Sequence, residues 1–154
     1  MNHPVTRPFL EAFYKAYAAH DASAVAEFLA DDVTWTISGP VDLLSFCGTC
    51  RGKPAVLDLI ARSVPSVFHV LRFSTQSTLI DGDRVATLNR LSAKCSDNGR
   101  VISYRLAHFM RFRDGKVIEN LSLLDSFDAV EQVLGHPLAV HEGHTAHSGD
   151  MVAI

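Results

Sequence analysis

The chain has 154 residues, 47% of them hydrophobic and 20% charged, which describes one globular domain with a real core. A formal charge of −3 argues against a broad nucleic-acid-binding face, and no charge-free stretch reaches the ~18 apolar residues of a membrane-spanning helix. The opening segment, residues 1–8, lacks the apolar run of a signal peptide. Three cysteines without framework spacing fit a reducing compartment, so a cytoplasmic protein is expected.

From Phe9 to His20 apolar residues recur at helical spacing (Phe9, Phe13, Ala16, Tyr17, widened by Leu10 and Tyr14). Asp21 can cap a second short helix burying Val25, Phe28 and Leu29, which Asp31 and Asp32 end. The alternation of Val33-Thr34-Trp35-Thr36-Ile37-Ser38 predicts a half-buried strand closed by Gly39-Pro40. An irregular stretch through Phe46, Cys47 and Cys50 leads to a third helix, opened by Gly52 and Pro54 and stopping before Pro65. Runs at 67–80, 84–95, 100–113 and 116–125 read as strands, separated by Asp81-Gly82-Asp83, Asp97-Asn98-Gly99 and Asp114-Gly115. These are hairpin turns, so the sheet should be an antiparallel meander. A last helix can run from Ser126 to Gly135, with Pro137 just beyond. Helices first and strands afterwards predict an α+β domain over residues 1–135, followed by a tail, 136–154, without clear periodicity.

Asn98-Gly99 is the strongest hairpin signal in the chain. Read as a two-residue loop, it pairs Asp97 with Arg100, and hence Asn89 with His108, Leu91 with Leu106, Ala93 with Tyr104 and Thr87 with Met110. The apolar faces, Val85 to Ala93 on one strand and Tyr104 to Phe112 on the other, then look towards the helices and carry Asn89 and His108 with them. The next hairpin is open: a two-residue loop at Asp114-Gly115 sets Leu121 opposite His108, whereas a three-residue loop sets Asn120 there with Ser122 beside it.

The residues Phe13-Tyr14, His20-Asp21, Phe28-Leu29-Ala30-Asp31-Asp32-Val33-Thr34-Trp35, Gly52-Lys53-Pro54-Ala55-Val56, His108-Phe109-Met110-Arg111-Phe112-Arg113-Asp114-Gly115-Lys116-Val117 and Asp125-Ser126-Phe127 carry a resemblance. In this order they resemble the SnoaL-like branch of the nuclear transport factor two-like superfamily, over roughly residues 5 to 135. The resemblance implies a cone-shaped α+β barrel, with N-terminal helices packed on a strongly curved antiparallel sheet that encloses one pocket. It also implies homodimers through the outer sheet face. Function varies within the superfamily, from isomerases, cyclases, hydrolases and dehydratases to non-catalytic binders. The ketosteroid isomerase base falls at about Ile37, its tyrosine donor at about Phe13 and its second donor at about His108. The aspartate of SnoaL-type cyclases falls near Ser122, and the Asp-Arg-Asp set of the epoxide hydrolases has no evident counterpart.

His108 is therefore the main candidate catalytic group, as a proton shuttle or a hydrogen-bond donor to a bound carbonyl; the competing reading is a buried histidine satisfied by Asn89 or Asn120. Asp125 is the one nameable base, weighed against a helix cap. Trp35, Phe46 and Tyr104 are expected to hold an apolar ligand body, with Asn89, Asn120 and one inward hydroxyl of Tyr14 or Tyr17 offering polar contacts. Cys47-Gly48-Thr49-Cys50 imitates a redox pair but sits outside the βαβ setting that chemistry needs. The tail histidines His136, His141, His144 and His147 suggest metal binding but have no rigid scaffold. The expectation is thus a domain that binds a small apolar, carbonyl- or hydroxyl-bearing molecule and performs acid–base chemistry on it, without cofactor, metal, nucleic acid or membrane. The alternatives are a binder without catalysis and an interaction module whose cone is filled by its own side chains.

Overall fold

The structure, a computed structural model, describes residues 4–139. Helix α1 (Arg7–Ala18) starts where the Thr6 hydroxyl accepts a hydrogen bond from Phe9 N, with Pro8 in the first turn, and buries Leu10, Phe13, Tyr14 and Ala16. Helix α2 (Ala22–Ala26) is capped by the Asp21 carboxylate, which accepts from Ala24 N at 3.0 Å. It is shorter than expected: strand β1 (Leu29–Ser38) already contains Asp31 and Asp32, whose side chains point to solvent.

The stretch after β1 holds a short strand, β2 (Gly48–Arg51), rather than only irregular chain. Helix α3 (Lys53–Asp58) passes through a π-helical turn, Leu59–Ser63, into α4 (Val64–Val67). Pro65 therefore does not stop the helix. The wider turn relieves the clash its ring would make with the preceding turn, where its missing N–H would otherwise leave a break.

Strands β3 (Phe68–Asp81), β4 (Arg84–Cys95), β5 (Val101–Arg113) and β6 (Lys116–Leu124) form the meander, and α5 (Ser126–Leu134) ends at Gly135 in the left-handed conformation. The sheet order is β2-β1-β6-β5-β4-β3, and β1 pairs with β6 in parallel. The sheet is thus mixed rather than wholly antiparallel, and it is open. Register shifts in β1/β6, twice in β3/β4 and once in β5/β6 mark bulges, each adding local twist and bending the sheet into a cone around α1.

Two registers differ from expectation. Cys95 N donates to Arg100 O, so the loop is the four residues 96–99, and Gly99 alone carries the positive φ, +71°. Asn98 instead accepts a hydrogen bond from Arg100 N, which fixes this longer turn. The pairing moves by two residues: Thr87 faces His108, Asn89 faces Leu106, Leu91 faces Tyr104 and Met110 faces Val85. At the other turn Asp114 (φ +51°) and Gly115 (φ +70°) form a two-residue loop with Arg113 opposite Lys116. A bulge beyond Arg111 then sets Ser122 opposite His108 and Asn120 opposite Met110, a third register distinct from both alternatives.

A polar cluster beneath the first helix

Among the described residues five polar ones are buried, and they gather on the concave face: Thr87, Asn89, His108, Asn120 and Ser122. Four of them are 1% exposed or less, and none is a carboxylate. Strict alternation along β4 and β5 aims Thr87, Asn89 and His108 inward, and β6 brings Asn120 and Ser122 alongside.

Helix α1 closes the cluster from above. The Tyr14 hydroxyl lies 2.6 Å from Thr87 Oγ1 and 2.9 Å from His108 Nδ1. Asn89 Nδ2 donates to Thr87 Oγ1 and Asn89 Oδ1 accepts from Thr75 Oγ1, both at 2.9 Å. One arrangement of hydrogens uses every group: Asn89 donates to Thr87, Thr87 to Tyr14, and Tyr14 to His108 Nδ1. The reverse direction leaves the Thr87 hydrogen without an acceptor among these groups. In that arrangement His108 carries its hydrogen on Nε2. Burial depresses its pKa to about 4, so the ring is neutral near pH 7.

Three polar atoms of this region are buried without a hydrogen-bond partner: His108 Nε2, Trp35 Nε1 and Asn120 Oδ1. Trp35 and Asn120 are register partners on neighbouring strands, and Asn120 donates its Nδ2 to Ser122, the residue opposite His108. The Tyr17 ring touches both outer members, at centroid distances of 5.9 Å from Trp35 and 5.6 Å from His108. Burial pushes the Tyr17 hydroxyl up to about 12 and raises those of Tyr14 and Tyr104, so all three stay protonated.

The cluster is covered by two half-buried rings, Tyr17 and Phe73. Outside them lies a groove of about 510 Å³ between α1 and the edge strand β3, lined by Leu10, Tyr14 and Phe73 with Arg7, Glu11 and Lys15 at its rim.

Of the residues singled out from sequence, the structure brings together His108, Tyr14, Tyr17, Asn89, Trp35 and Asn120. Asn89 reaches His108 through Thr87 and Tyr14 rather than across the strand pair. Phe46 and Tyr104 belong to a neighbouring aromatic group centred on Phe68, at 5.4 and 6.2 Å. Asp125 is not with His108. It is exposed at the start of α5, where its N–H donates to Arg105 O and its carbonyl accepts from Ala129 N.

Thr87, Ser122 and Phe73 were missed as site residues. Thr87 could have been found as a second polar residue on the inward face of β4, whereas Phe73 sits between two bulges that hide its orientation. Burial raises the Cys47 thiol to about 11 and also raises that of Cys50, the opposite of an activated redox pair. No group of three or more histidine, cysteine or acidic side chains suited to a metal occurs among the described residues. His141, His144 and His147 lie outside them. No described helix is long and apolar enough to cross a membrane.

An open α+β cone with a polar patch beneath its first helix defines a class of fold used for small-molecule sites. The chain belongs to the SnoaL-like domain family, which it matches over residues 10–120. It is similar to a protein from Rhodopseudomonas palustris provisionally assigned as an isomerase: 31% identity over 83% of this chain and 94% of that one, TM-score 0.73. An NTF2-like protein of unknown function from Burkholderia pseudomallei matches at 24% identity, covering 82% and 95% of the two chains, TM-score 0.74. A protein with a ketosteroid isomerase-like fold from Catenulispora acidiphila, crystallised with trimethylamine, matches at 16% identity over 86% and 96%, TM-score 0.70. No protein of curated function matches the chain.

Proposed function

We propose that the cone binds a small, largely apolar molecule through an oxygen held at the polar cluster, and that any activation of that molecule is by hydrogen bonding. The observation that carries this reading is the set of buried, unpartnered polar atoms on His108, Trp35 and Asn120. Leaving such groups unsatisfied costs about 1–3 kcal/mol each, a deficit a bound ligand can offset. The absence of a buried carboxylate among the described residues argues against an acid paired with a base. Asp125, exposed at the start of α5, does not supply a buried base.

Similarity to the Rhodopseudomonas protein favours a second reading, an isomerase-type reaction in which the neutral His108 Nε2–H donates to an oxygen as charge develops. In both readings the ligand reaches the cluster when Tyr17 and Phe73 turn aside. The test is a thermal-shift screen of apolar carbonyl and hydroxyl compounds, with turnover followed for each hit. A hit that shifts the wild type and not His108→Ala supports binding at the cluster, whereas equal shifts in both place the ligand elsewhere.

The outer sheet face supports a homodimer. Register aligns Leu79, Ala86, Phe109 and Leu121 in one row and Leu88, Ala107 and Leu123 in the next, an apolar strip of which Leu79, Leu88, Phe109 and Leu123 are exposed. Light scattering on the wild type and Phe109→Glu decides this: the dimer is expected to dissociate in the variant.

A further inference from the structure

On the outer face of the sheet, arginine faces arginine twice across β4 and β5: Arg84 opposite Arg111, and Arg90 opposite Arg105. Like charges set directly opposite each other repel, so each pair is relieved by negative charge nearby. The first pair has that charge within the sheet. Asp81 is the register partner of Arg84, and Glu119 that of Arg111, with Glu119 Oε2 3.9 Å from Arg111 Nε. The row therefore reads negative, positive, positive, negative. The second pair is bracketed differently. Its neighbour on β3 is Ser74, and the adjoining row, Arg72-Ser92-Ser103, adds a third guanidinium and two hydroxyls. Beyond Arg105 comes Asp125, whose N–H donates to Arg105 O, yet none of these three arginines is in an ion pair among the described residues.

We propose that Arg72, Arg90 and Arg105, with the hydroxyls of Ser74, Ser92 and Ser103, bind a phosphate group on the face of the sheet opposite the cone. Residues directly opposite have Cβ atoms about 5 Å apart and diagonal neighbours about 7–8 Å, so three side chains as long as arginine reach one point above the block. All three arginines are exposed. Each guanidinium presents a planar fork of N–H donors that matches two phosphate oxygens, and together they offset the charge of a dianion. A carboxylate offers this array only two oxygens and one charge. The hydroxyls complete the donor set. Ser103 Oγ accepts from Ser92 Oγ at 3.2 Å and from Arg90 Nη1 at 3.4 Å, which leaves its own hydrogen to donate outwards.

The test is a titration with sodium phosphate at constant ionic strength, chloride making up the balance, followed through the arginine Nε–H resonances. The signals of Arg72, Arg90 and Arg105 are expected to shift together along a saturating curve, while those of Arg84 and Arg111 stay in place. Arg90→Gln should weaken phosphate binding about tenfold, and Arg84→Gln, the matched change in the neutral row, should leave it unchanged. Phosphate in place of chloride should raise the Tm of the wild type and not that of Arg90→Gln. Phenyl phosphate separates two sources of the group: binding tighter than that of inorganic phosphate assigns the site to a monoester, and equal or weaker binding assigns it to the free anion. If the two arginine rows respond alike, if chloride or acetate produces the same shifts, or if Arg90→Gln titrates as the wild type does, the site is overturned.

Discussion

His108 makes the stability of this protein depend on pH in a window where few other groups titrate. Its ordinary value of 6.5 falls to about 4 in the folded chain because the ring is fully buried among Tyr14, Tyr17 and Phe73. Between those two values the unfolded chain binds a proton that the folded chain refuses, so stability rises with pH. The contribution is complete above pH 6.5 and is lost as pH falls towards 4. Between pH 7 and pH 4.5 the two values correspond to roughly 2 to 3 kcal/mol. With a urea m-value of about 2 kcal/mol per molar for a chain of this size, the midpoint should move by about 1 M.

Burial also lowers the pKa of His20, which titrates with the same sign, so the wild type alone would not isolate His108. The decisive comparison is with His108→Gln, which cannot titrate. Urea unfolding followed by far-ultraviolet circular dichroism at pH 7 and pH 4.5 gives four midpoints. The wild-type midpoint should fall by about 1 M more than that of the variant. Parallel losses in the two proteins would refute the claim that His108 is held neutral by burial.

Tyr14→Phe removes the hydroxyl that serves Thr87 and His108 together, stranding buried partners at a cost of about 1–3 kcal/mol. Calorimetry should show Tm lower by roughly 3–10 °C, and an unchanged Tm would mean that the bridge contributes nothing. The Cys47 thiol, raised to about 11, is ionised in only about one molecule in a thousand at pH 8. Native protein should therefore alkylate with iodoacetamide far more slowly than unfolded protein, and rapid modification or a ready Cys47–Cys50 disulfide would revive the redox reading.

The strand faces were legible in the sequence because their information is redundant. Moving the β4/β5 register by two residues left Thr87, Asn89 and His108 on the inner side, since a side chain changes face only on an odd shift. The partner of His108 had no such protection. Asn98-Gly99 favours a tight turn locally, but the extra residues and the Asn98–Arg100 bond make a four-residue loop, and Thr87 replaces Asn89 across the pair. The bulge past Arg111 is similarly silent, because Ile118 and Leu121 are acceptable on either face. Covering of the cluster by Phe73 depends on two bulges in β3, which no alternation pattern reveals. The parallel pairing of β1 with β6 arises from tertiary folding and leaves no turn signal at all.

A protein of this size has a net stability of only about 5–15 kcal/mol, so buried polar atoms without partners are a substantial local deficit. Asn120 offers the cleanest measure of it. Leucine keeps the branched four-atom shape with somewhat more bulk, removes the unpartnered Oδ1 and adds apolar surface to the core, while Ser122 loses one incoming hydrogen bond but keeps a hydroxyl that can turn to another acceptor. Asn120→Leu should therefore raise the stability of the unliganded protein by about 1 kcal/mol, seen as a higher urea midpoint at unchanged m-value. The same change should weaken binding of the compounds that the thermal-shift screen places at the cluster. Stability gained where recognition is lost would identify the polar patch as a binding feature maintained against the interest of the fold. Destabilisation of this variant and of the smaller Asn120→Val alike would instead mean that Asn120 Oδ1 is already satisfied in solution, and the unpartnered atoms would no longer support a ligand site.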